Sequence, residues 1–246
     1  MPLLEHLVEL RRRLLWSAVA FFLCFGLCYY FSRDIYSFLV QPLAHILEQR
    51  GANRRMIYTQ LYEAFFTYLR VAFFGAAFIS FPVVASQIYM FVAPGLYRSE
   101  KRAIVPFLVA TPVLFVLGAA LAYYFIFPAA WTFFLSFETP TGAGGLPIEL
   151  EAKVSEYLSL VMKLIFAFGI AFQLPVLLSL LAKVGIVSSA GLKKYRRYAY
   201  VGMFIIAAVI TPPDVITQTG LALPLILLYE ISIQCARILE PKPVEI

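Results

Sequence analysis

Charge is what this chain has least of. Asp, Glu, Lys and Arg make up 14% of its 246 residues, while hydrophobic residues make up 62%. Soluble domains run at roughly 45–50% apolar and about 25% charged. A soluble chain of this length has too little interior to hide so much apolar surface, which excludes a water-soluble globular class. Histidine is nearly absent too. His6 and His45 are the only two, far apart in sequence and expected on opposite sides of a bilayer, so a shared metal site is excluded. The three cysteines, Cys24, Cys28 and Cys235, are an odd number. That argues against a disulfide framework, and Cys24 and Cys28 lie one turn apart in an apolar run with no polar ligands nearby, as packing residues do. No phosphate-binding loop, zincin motif or nucleophile elbow is present. The spans hold no histidine, and Asp214 stands alone, so neither a serine–histidine nor a paired-aspartate intramembrane protease fits. No enzyme, metal or other cofactor is expected.

The chain is instead rich in long apolar runs. A membrane-spanning helix needs about 20 apolar residues, and backbone satisfaction in lipid leaves helices as the open-chain solution. Six segments qualify: about 14–31, 65–92, 103–135, 156–182, 198–210 and 215–236. The expected fold is all-α: a polytopic membrane protein with six transmembrane helices in one integral-membrane domain, residues 1–246. Arg11–Arg13 ahead of Leu14–Phe31 resembles a secretory signal. The run of 18 residues exceeds the usual h-region of about 7–15, and no small-x-small cleavage site follows, so it reads as a retained first span.

The distribution of charge sets an orientation. With the N-terminus inside, the inner segments carry 13 bases against five acids, a net +8, and the outer segments five bases against eight acids, a net −3. The positive-inside rule then places both termini in the cytoplasm. The overall +6 is scattered over short loops, a topology signal rather than a nucleic-acid footprint. Arg70 and Lys163 sit about two turns inside their spans, where snorkelling to the outer head groups accounts for them.

Proline recurs inside spans, at positions 82, 106, 112, 128, 175 and 224. Each removes a backbone donor and frees a carbonyl, and repeated kinks favour a curved, concave bundle. The fifth run covers roughly 20 Å at about 1.5 Å per residue, against a hydrocarbon core of about 30 Å. Two readings stand: a short helix extended by Tyr195 and Tyr198, or a locally thinned bilayer beside the hairpin. Residues 32–59 place Ile35, Phe38, Leu39, Leu43, Ile46 and Leu47 in an amphipathic pattern. That predicts a helix on the outer face or capping the bundle. Residues 138–150, with three glycines and two prolines, predict an irregular turn.

Glu9 and Glu100 are acids set among bases at the inner edge of apolar segments. Glu9 has a local explanation as the i,i+4 partner of Arg13, and Glu100 has one in Lys101 or Arg102. The functional reading is that carboxylates take guanidinium in a bidentate fork that lysine does not copy, so two of them would select a ligand with paired arginines. Gln173 is the deepest polar residue of the fourth span; it either serves the carbonyl freed by Pro175 or faces a wet interior. Glu230 in the sixth span needs a partner, a proton, or a snorkelling route to the inner surface.

His6-Leu7-x-Glu9-Leu10-Arg11-x-Arg13 resembles the N-terminal signature of the TatC family, the core receptor subunit of the twin-arginine protein translocase. In order along the chain come Gln41-Pro42-Leu43, Phe91-Val92-Ala93-Pro94-Gly95-Leu96-Tyr97 with Glu100 and Arg102, the run Ala167–Pro175, and Thr211-Pro212-Pro213-Asp214. The resemblance covers nearly the whole chain. It implies a receptor in the bacterial inner membrane for twin-arginine signal peptides of folded cargo, working in proton-motive-force-driven export and self-associating in a multimeric complex. On that resemblance Glu9, Glu100, Arg11, Phe91, Tyr97 and Arg102 form the signal-peptide site. Thr211 and Gln218 mark where single-span Tat partner subunits of the TatA/TatB type dock, with membrane lipids around them and no nucleic acid. Many relatives carry glutamate where this chain has Gln173. The alternatives are a proton-coupled small-solute transporter, which would call for a midplane site in broken helices and internal repeats, and a passive scaffold; no repeat is visible.

Overall fold

The structure is a computed structural model that describes residues 3–49, 55–92, 105–139, 150–211 and 214–239. Its helices are α1 Leu3–Tyr30, α2 Ser32–Gln49, α3 Glu63–Val92, α4 Val105–Leu121, α5 Phe127–Leu135, α6 Val154–Ala171, α7 Leu174–Lys183, α8 Ser189–Lys194, α9 Arg196–Ile210 and α10 Val215–Leu239. A π-helical turn, Ala122–Ile126, joins α4 to α5. Among the described residues no named strand occurs, and an isolated bridge pairs Ile57 with Lys153. Five stretches of the described residues are long and apolar enough to cross a membrane: His6–Tyr30, Glu63–Phe91, Pro106–Leu135, Val154–Lys183 and Val215–Leu239. The sixth, α9, is a 15-residue helix. It begins two residues before the expected start, and at about 1.5 Å per residue it reaches roughly 22 Å.

α1 runs back to Leu3, ahead of the apolar run that begins at Leu14, so Glu9 and the three arginines are helical, as the i,i+4 reading of Glu9 with Arg13 requires. Leucine and glutamate at these positions are good helix formers, and nothing in the segment breaks a helix. The fourth span is not continuous. It breaks at Phe172–Gln173 between α6 and α7, one turn from Pro175.

The chain packs as two compact units: residues 1–84 with 120–166, and residues 85–119 with 167–246. In the first, α1, α2 and α3 meet through small side chains. Cys28, Ala72 and Ala76 are buried together, with Phe21, Cys24, Phe25 and Ile35 packed on them. A Cβ at Gly75 would lie 3.1 Å from the Cys28 Sγ and 3.1 Å from the Ile35 Cδ1. Both cysteines are therefore packing residues, as expected. The predicted amphipathic helix is α2, which caps α5 with Leu39 and Leu43 buried.

Proline chemistry organises this unit. Pro42 lies inside α2 and cannot donate to the Phe38 carbonyl. The Tyr123 hydroxyl donates to that carbonyl at 2.7 Å, and its ring stacks on Phe38 with centroids 4.4 Å apart. Tyr123 comes from the π-helical turn, and the next residue, Leu39, offers its carbonyl to the Tyr157 hydroxyl at 3.0 Å. The same end is closed by Glu63, whose carboxylate accepts from the Thr59 N–H at 2.9 Å, the Gln60 N–H at 3.3 Å and the Ser155 N–H at 3.3 Å. Ile57 adds backbone bonds to Ala152 and Val154. Of the expected irregular turn, residues 140–149 lie outside the described residues; its ends are held by the Glu138 carboxylate, which accepts from the Leu150 N–H at 2.9 Å.

In the second unit α10 packs along α7 and α9. Phe107, Val176 and Leu180 form its buried cluster, with Tyr89, Ala110, Leu114 and Leu239 against it. Here glycine is required by close approach. A Cβ on Gly118 would sit 2.5 Å from the Phe168 carbonyl oxygen, and one on Gly169 would sit 2.6 Å from the Phe115 ring. α7 ends in a Schellman turn: Gly185, at φ +80°, donates to Ala182, and Ile186 donates to Leu181. In the first unit the Arg70 and Lys163 side chains are exposed.

The Pro42–Phe38–Tyr123 contact makes a specific prediction. Tyr123→Phe strands a carbonyl and should cost about 1–3 kcal/mol. Pro42→Ala restores a helical N–H to that carbonyl, so the pair should be non-additive: in the Pro42→Ala background Tyr123→Phe should cost little. Thermal unfolding of the detergent-solubilised variants measures the cycle, and equal costs in both backgrounds would show that the hydroxyl serves another purpose.

Candidate functional site

The N-terminal charged turn is described from Glu9 onward as side chains on one helix. Arg13 places Nε 3.0 Å and Nη2 2.5 Å from the Glu9 Oε1. The pair is partly exposed, 22% for the arginine side chain and 24% for the glutamate. The local i,i+4 pairing is thus the one formed. Both contacts fall on Oε1, and Oε2 takes no hydrogen bond among the described residues. An incoming guanidinium would find one oxygen available and would share or displace Arg13 for the other. Arg11 projects into solvent and makes no local pair with Glu9. Phe91 lies on the last turn of α3, half-buried. Tyr97, Glu100 and Arg102 lie outside the described residues.

Gln173 sits at the break between α6 and α7. Its backbone N–H turns to Ile170 at 2.9 Å in a tighter turn, which releases the Gly169 carbonyl. The side-chain Nε2 donates to the Thr111 carbonyl at 3.0 Å and reaches Gly169 at 3.5 Å. The expectation that it serves the carbonyl freed by Pro175 is corrected, since that carbonyl belongs to Ala171. Proline sits at the second residue of α7, where its missing donor costs little, and the glutamine repairs the turn before it. Its Oε1 is buried without a partner among the described residues. Thr111 continues the network: Tyr89 and Thr111 share a hydroxyl contact at 3.0 Å, and Thr111 donates to Phe107 at 2.8 Å.

Glu230 has found a partner rather than a route to solvent. The Arg196 Nη2 lies 2.6 Å from its Oε2, and the Tyr200 hydroxyl donates to Oε1 at 2.5 Å. Arg196 and Tyr200 are one helical turn apart on α9, so both face α10 together. Sequence reading missed them. The available signal was that arginine and tyrosine share an i,i+4 face on a short span beside a span containing an unpaired acid. Tyr229, next along α10, donates to the Leu192 carbonyl at 2.9 Å and so ties down α8.

The α9–α10 hairpin is built on Asp214. Its carboxylate accepts from the Thr217 N–H at 2.7 Å and from the Thr217 hydroxyl, and its carbonyl starts α10 by accepting from Gln218 at 3.2 Å. This is an N-cap, and it accounts for an acid that sequence reading left alone. Thr211, buried, turns its hydroxyl back onto the Ala207 carbonyl at 2.9 Å. Gln218 is half-buried, and its side-chain amide makes no hydrogen bond among the described residues. Of the two residues expected at this hairpin, Gln218 is therefore the one free to meet another molecule.

Long apolar helices interrupted by proline, a helical cluster of arginines around one acid, and a capped short hairpin define a polytopic helical membrane protein. A family model described as Sec-independent protein translocase protein (TatC) matches residues 5–224. The chain is 52% identical over 244 residues to a TatC from Magnetococcus marinus, covering 99% of this chain and 87% of the relative. It is 50% identical over 236 residues to one from Rickettsia prowazekii, covering 96% and 92%, and 40% identical over 236 residues to the Escherichia coli K12 protein, covering 96% and 88%. The crystal structure of the twin-arginine translocase receptor TatC shares the fold with a TM-score of 0.78 at 37% identity, over 95% of this chain and 99% of that one. The chain belongs to the TatC family and is a component of the Sec-independent protein translocase. The solute-transporter alternative falls with that assignment, although the broken helix it called for is present at Gln173.

The cap makes the hairpin testable. Asp214→Ala should lower stability by about 0.5–2 kcal/mol, and Asp214→Asn should retain most of it, because the amide oxygen still accepts from Thr217. Unfolding midpoints in detergent distinguish the two; an Asn variant as damaged as Ala would mean that the charge, not the cap, is what the hairpin needs.

Proposed function

We propose that this chain is the signal-peptide receptor and assembly platform of a twin-arginine translocase, non-enzymatic, with both termini cytoplasmic in the inner membrane. The observation that carries the reading is the Glu9 carboxylate: partly exposed, fixed on a helix, and already holding one guanidinium through a single oxygen. A carboxylate that binds Arg13 in this way is chemically suited to bind the arginine of a ligand. Glu9 and Glu100 act as the paired acceptors, with Arg11, Phe91, Tyr97 and Arg102 shaping the same surface. The net +8 of the inner segments supports the orientation. The likeness to a crystallised twin-arginine translocase receptor supports the ligand class.

The other proposed contact is the α9–α10 hairpin. Gln218 offers an uncommitted amide on the first turn of α10, and the preceding α9, which ends at the buried Thr211, is shorter than the hydrocarbon core. Single-span partner subunits of the TatA/TatB type dock there, and a short partner helix matches a short α9 without stretching either.

Titrating a labelled twin-arginine signal peptide against the purified protein tests the receptor reading. Glu100→Gln and Glu9→Gln should each weaken binding by roughly tenfold, the worth of one charge-assisted hydrogen bond. A peptide with both arginines changed to lysine should lose at least as much, since lysine has no fork. Affinity should also fall with rising salt. Equal affinity for all variants and both peptides would leave only a scaffold role.

A further inference from the structure

The end of the first unit that carries α2 contains a cavity of about 230 Å³ with no part in the contacts described so far. Its floor is apolar, with Leu43 and Tyr157 buried, and Trp131 forms one wall. Glu151, Lys153 and Glu156 stand at the mouth. Trp131 is 6% exposed, yet its indole N–H has no hydrogen-bond partner among the described residues. The Tyr157 ring lies beside it, centroids 5.3 Å apart, and the Tyr157 hydroxyl, which donates to the Leu39 carbonyl, is near enough to the indole N–H to interact with it without satisfying it by a well-formed hydrogen bond. A buried donor without an acceptor is costly, and tryptophan is usually placed so that this cost is met.

The level of the cavity identifies what supplies the acceptor. Trp131 is about one turn from the end of α5, and Tyr157 about one turn from the start of α6, so both sit where the spans leave the hydrocarbon. Ester carbonyls and phosphate oxygens lie at that depth, and tryptophan and tyrosine are the residues that meet them. The mouth adds a charge pattern. Lys153 is held only loosely by Glu156, at 3.6 Å, with the Glu156 side chain 77% exposed, and Glu151 is exposed nearby. One cation flanked by two anions complements a head group that carries both a phosphate and an amine. It opposes a head group that carries only negative charge.

We propose that this cavity seats one zwitterionic, amine-bearing phospholipid, its phosphate toward Lys153 and the Trp131 N–H, its ammonium toward Glu151 and Glu156, and its upper acyl chain over Leu43. The size suits a head group and the first methylenes rather than a drug-sized ligand, which needs about 300 Å³ or more. The seat lies between α2, α5 and the start of α6, so an occupied cavity braces the cap formed by α2.

Tryptophan fluorescence reads occupancy directly, because the chain has only two tryptophans. In the full-length Trp16→Phe protein in detergent, Trp131 is the sole reporter; Trp16 is 59% exposed and its replacement leaves the packing intact. Phosphatidylethanolamine with brominated acyl chains should quench it saturably, and brominated phosphatidylglycerol should need a concentration several-fold higher. Lys153→Ala should weaken the ethanolamine lipid by about three- to tenfold, the range of a partly exposed charge contact. The double variant Glu151→Gln, Glu156→Gln should erase the preference between the two lipids. Circular dichroism confirms that each variant remains folded. Quenching that is unsaturable and blind to head group, or a preference for the anionic lipid, overturns the proposal. So does protection of Trp131 by an added apolar transmembrane peptide with no lipid dependence, which would make the cavity a helix-docking groove.

Discussion

A backbone carbonyl that loses its helical donor inside a bilayer has no water to turn to, and each proline in a span creates one. That constraint organises this protein more than any hydrophobic contact does, since lipid is as apolar as leucine. The answers are local and individual. Tyr123 crosses from a π-helical turn to the carbonyl that Pro42 leaves open in α2. Gln173 supplies a side-chain donor at the break before Pro175. Pro128 and Pro175 lie at the second position of their helices, where a missing N–H is tolerated. Pro42, Pro82 and Pro224 lie inside unbroken helices, whereas Pro128 and Pro175 stand where a new helix starts, and the break before Pro175 is where Gln173 enters the interior.

Charge follows a related logic. Glu9 with Arg13 and Glu230 with Arg196 are carboxylate–guanidinium pairs, and each keeps some exposure. The two are built differently. Glu230 uses both oxygens, one for Arg196 and one for Tyr200, and so reads as a clasp between α9 and α10. Glu9 spends one oxygen on a residue of its own helix and holds nothing else together. A carboxylate whose loss would leave the packing untouched is better suited to exchange partners than one that joins two helices. This contrast in bonding, more than the acid-among-bases pattern, is what supports the binding role proposed for Glu9.

Much of this was legible beforehand, for a physical reason. Apolar runs of about 20 residues have one stable form in lipid, so the span positions, an amphipathic helix within residues 32–59 and the packing role of Cys24 and Cys28 followed from composition and period. Family membership was legible in motifs such as Gln41-Pro42-Leu43, although the motif did not say how the carbonyl its proline leaves open is satisfied; that takes Tyr123, some 80 positions away. What stayed hidden was long-range pairing. Nothing adjacent to Glu230 announces Arg196, and nothing adjacent to Trp131 announces that Lys153 lines the same cavity.

The hairpin brings these strands together. α9 spans roughly 22 Å, short of a hydrocarbon core of about 30 Å. Its two ends are held by different means: Arg196 and Tyr200 near its start bond Glu230 of α10, and Asp214, just past its end, caps α10. A short helix fixed at both ends cannot meet a thicker bilayer by sliding or by unwinding. The Arg196–Glu230 clasp holds it to the longer α10, so tilting away is resisted too. The remaining adjustment falls on whatever surrounds the hairpin. Lipids there must compress, or a neighbouring helix of similar length must replace them. The second is favoured wherever such a helix is available, because it removes the mismatch of both partners at once. A hairpin that is short, capped and clasped is therefore a surface that selects its neighbours by length before any side chain is read.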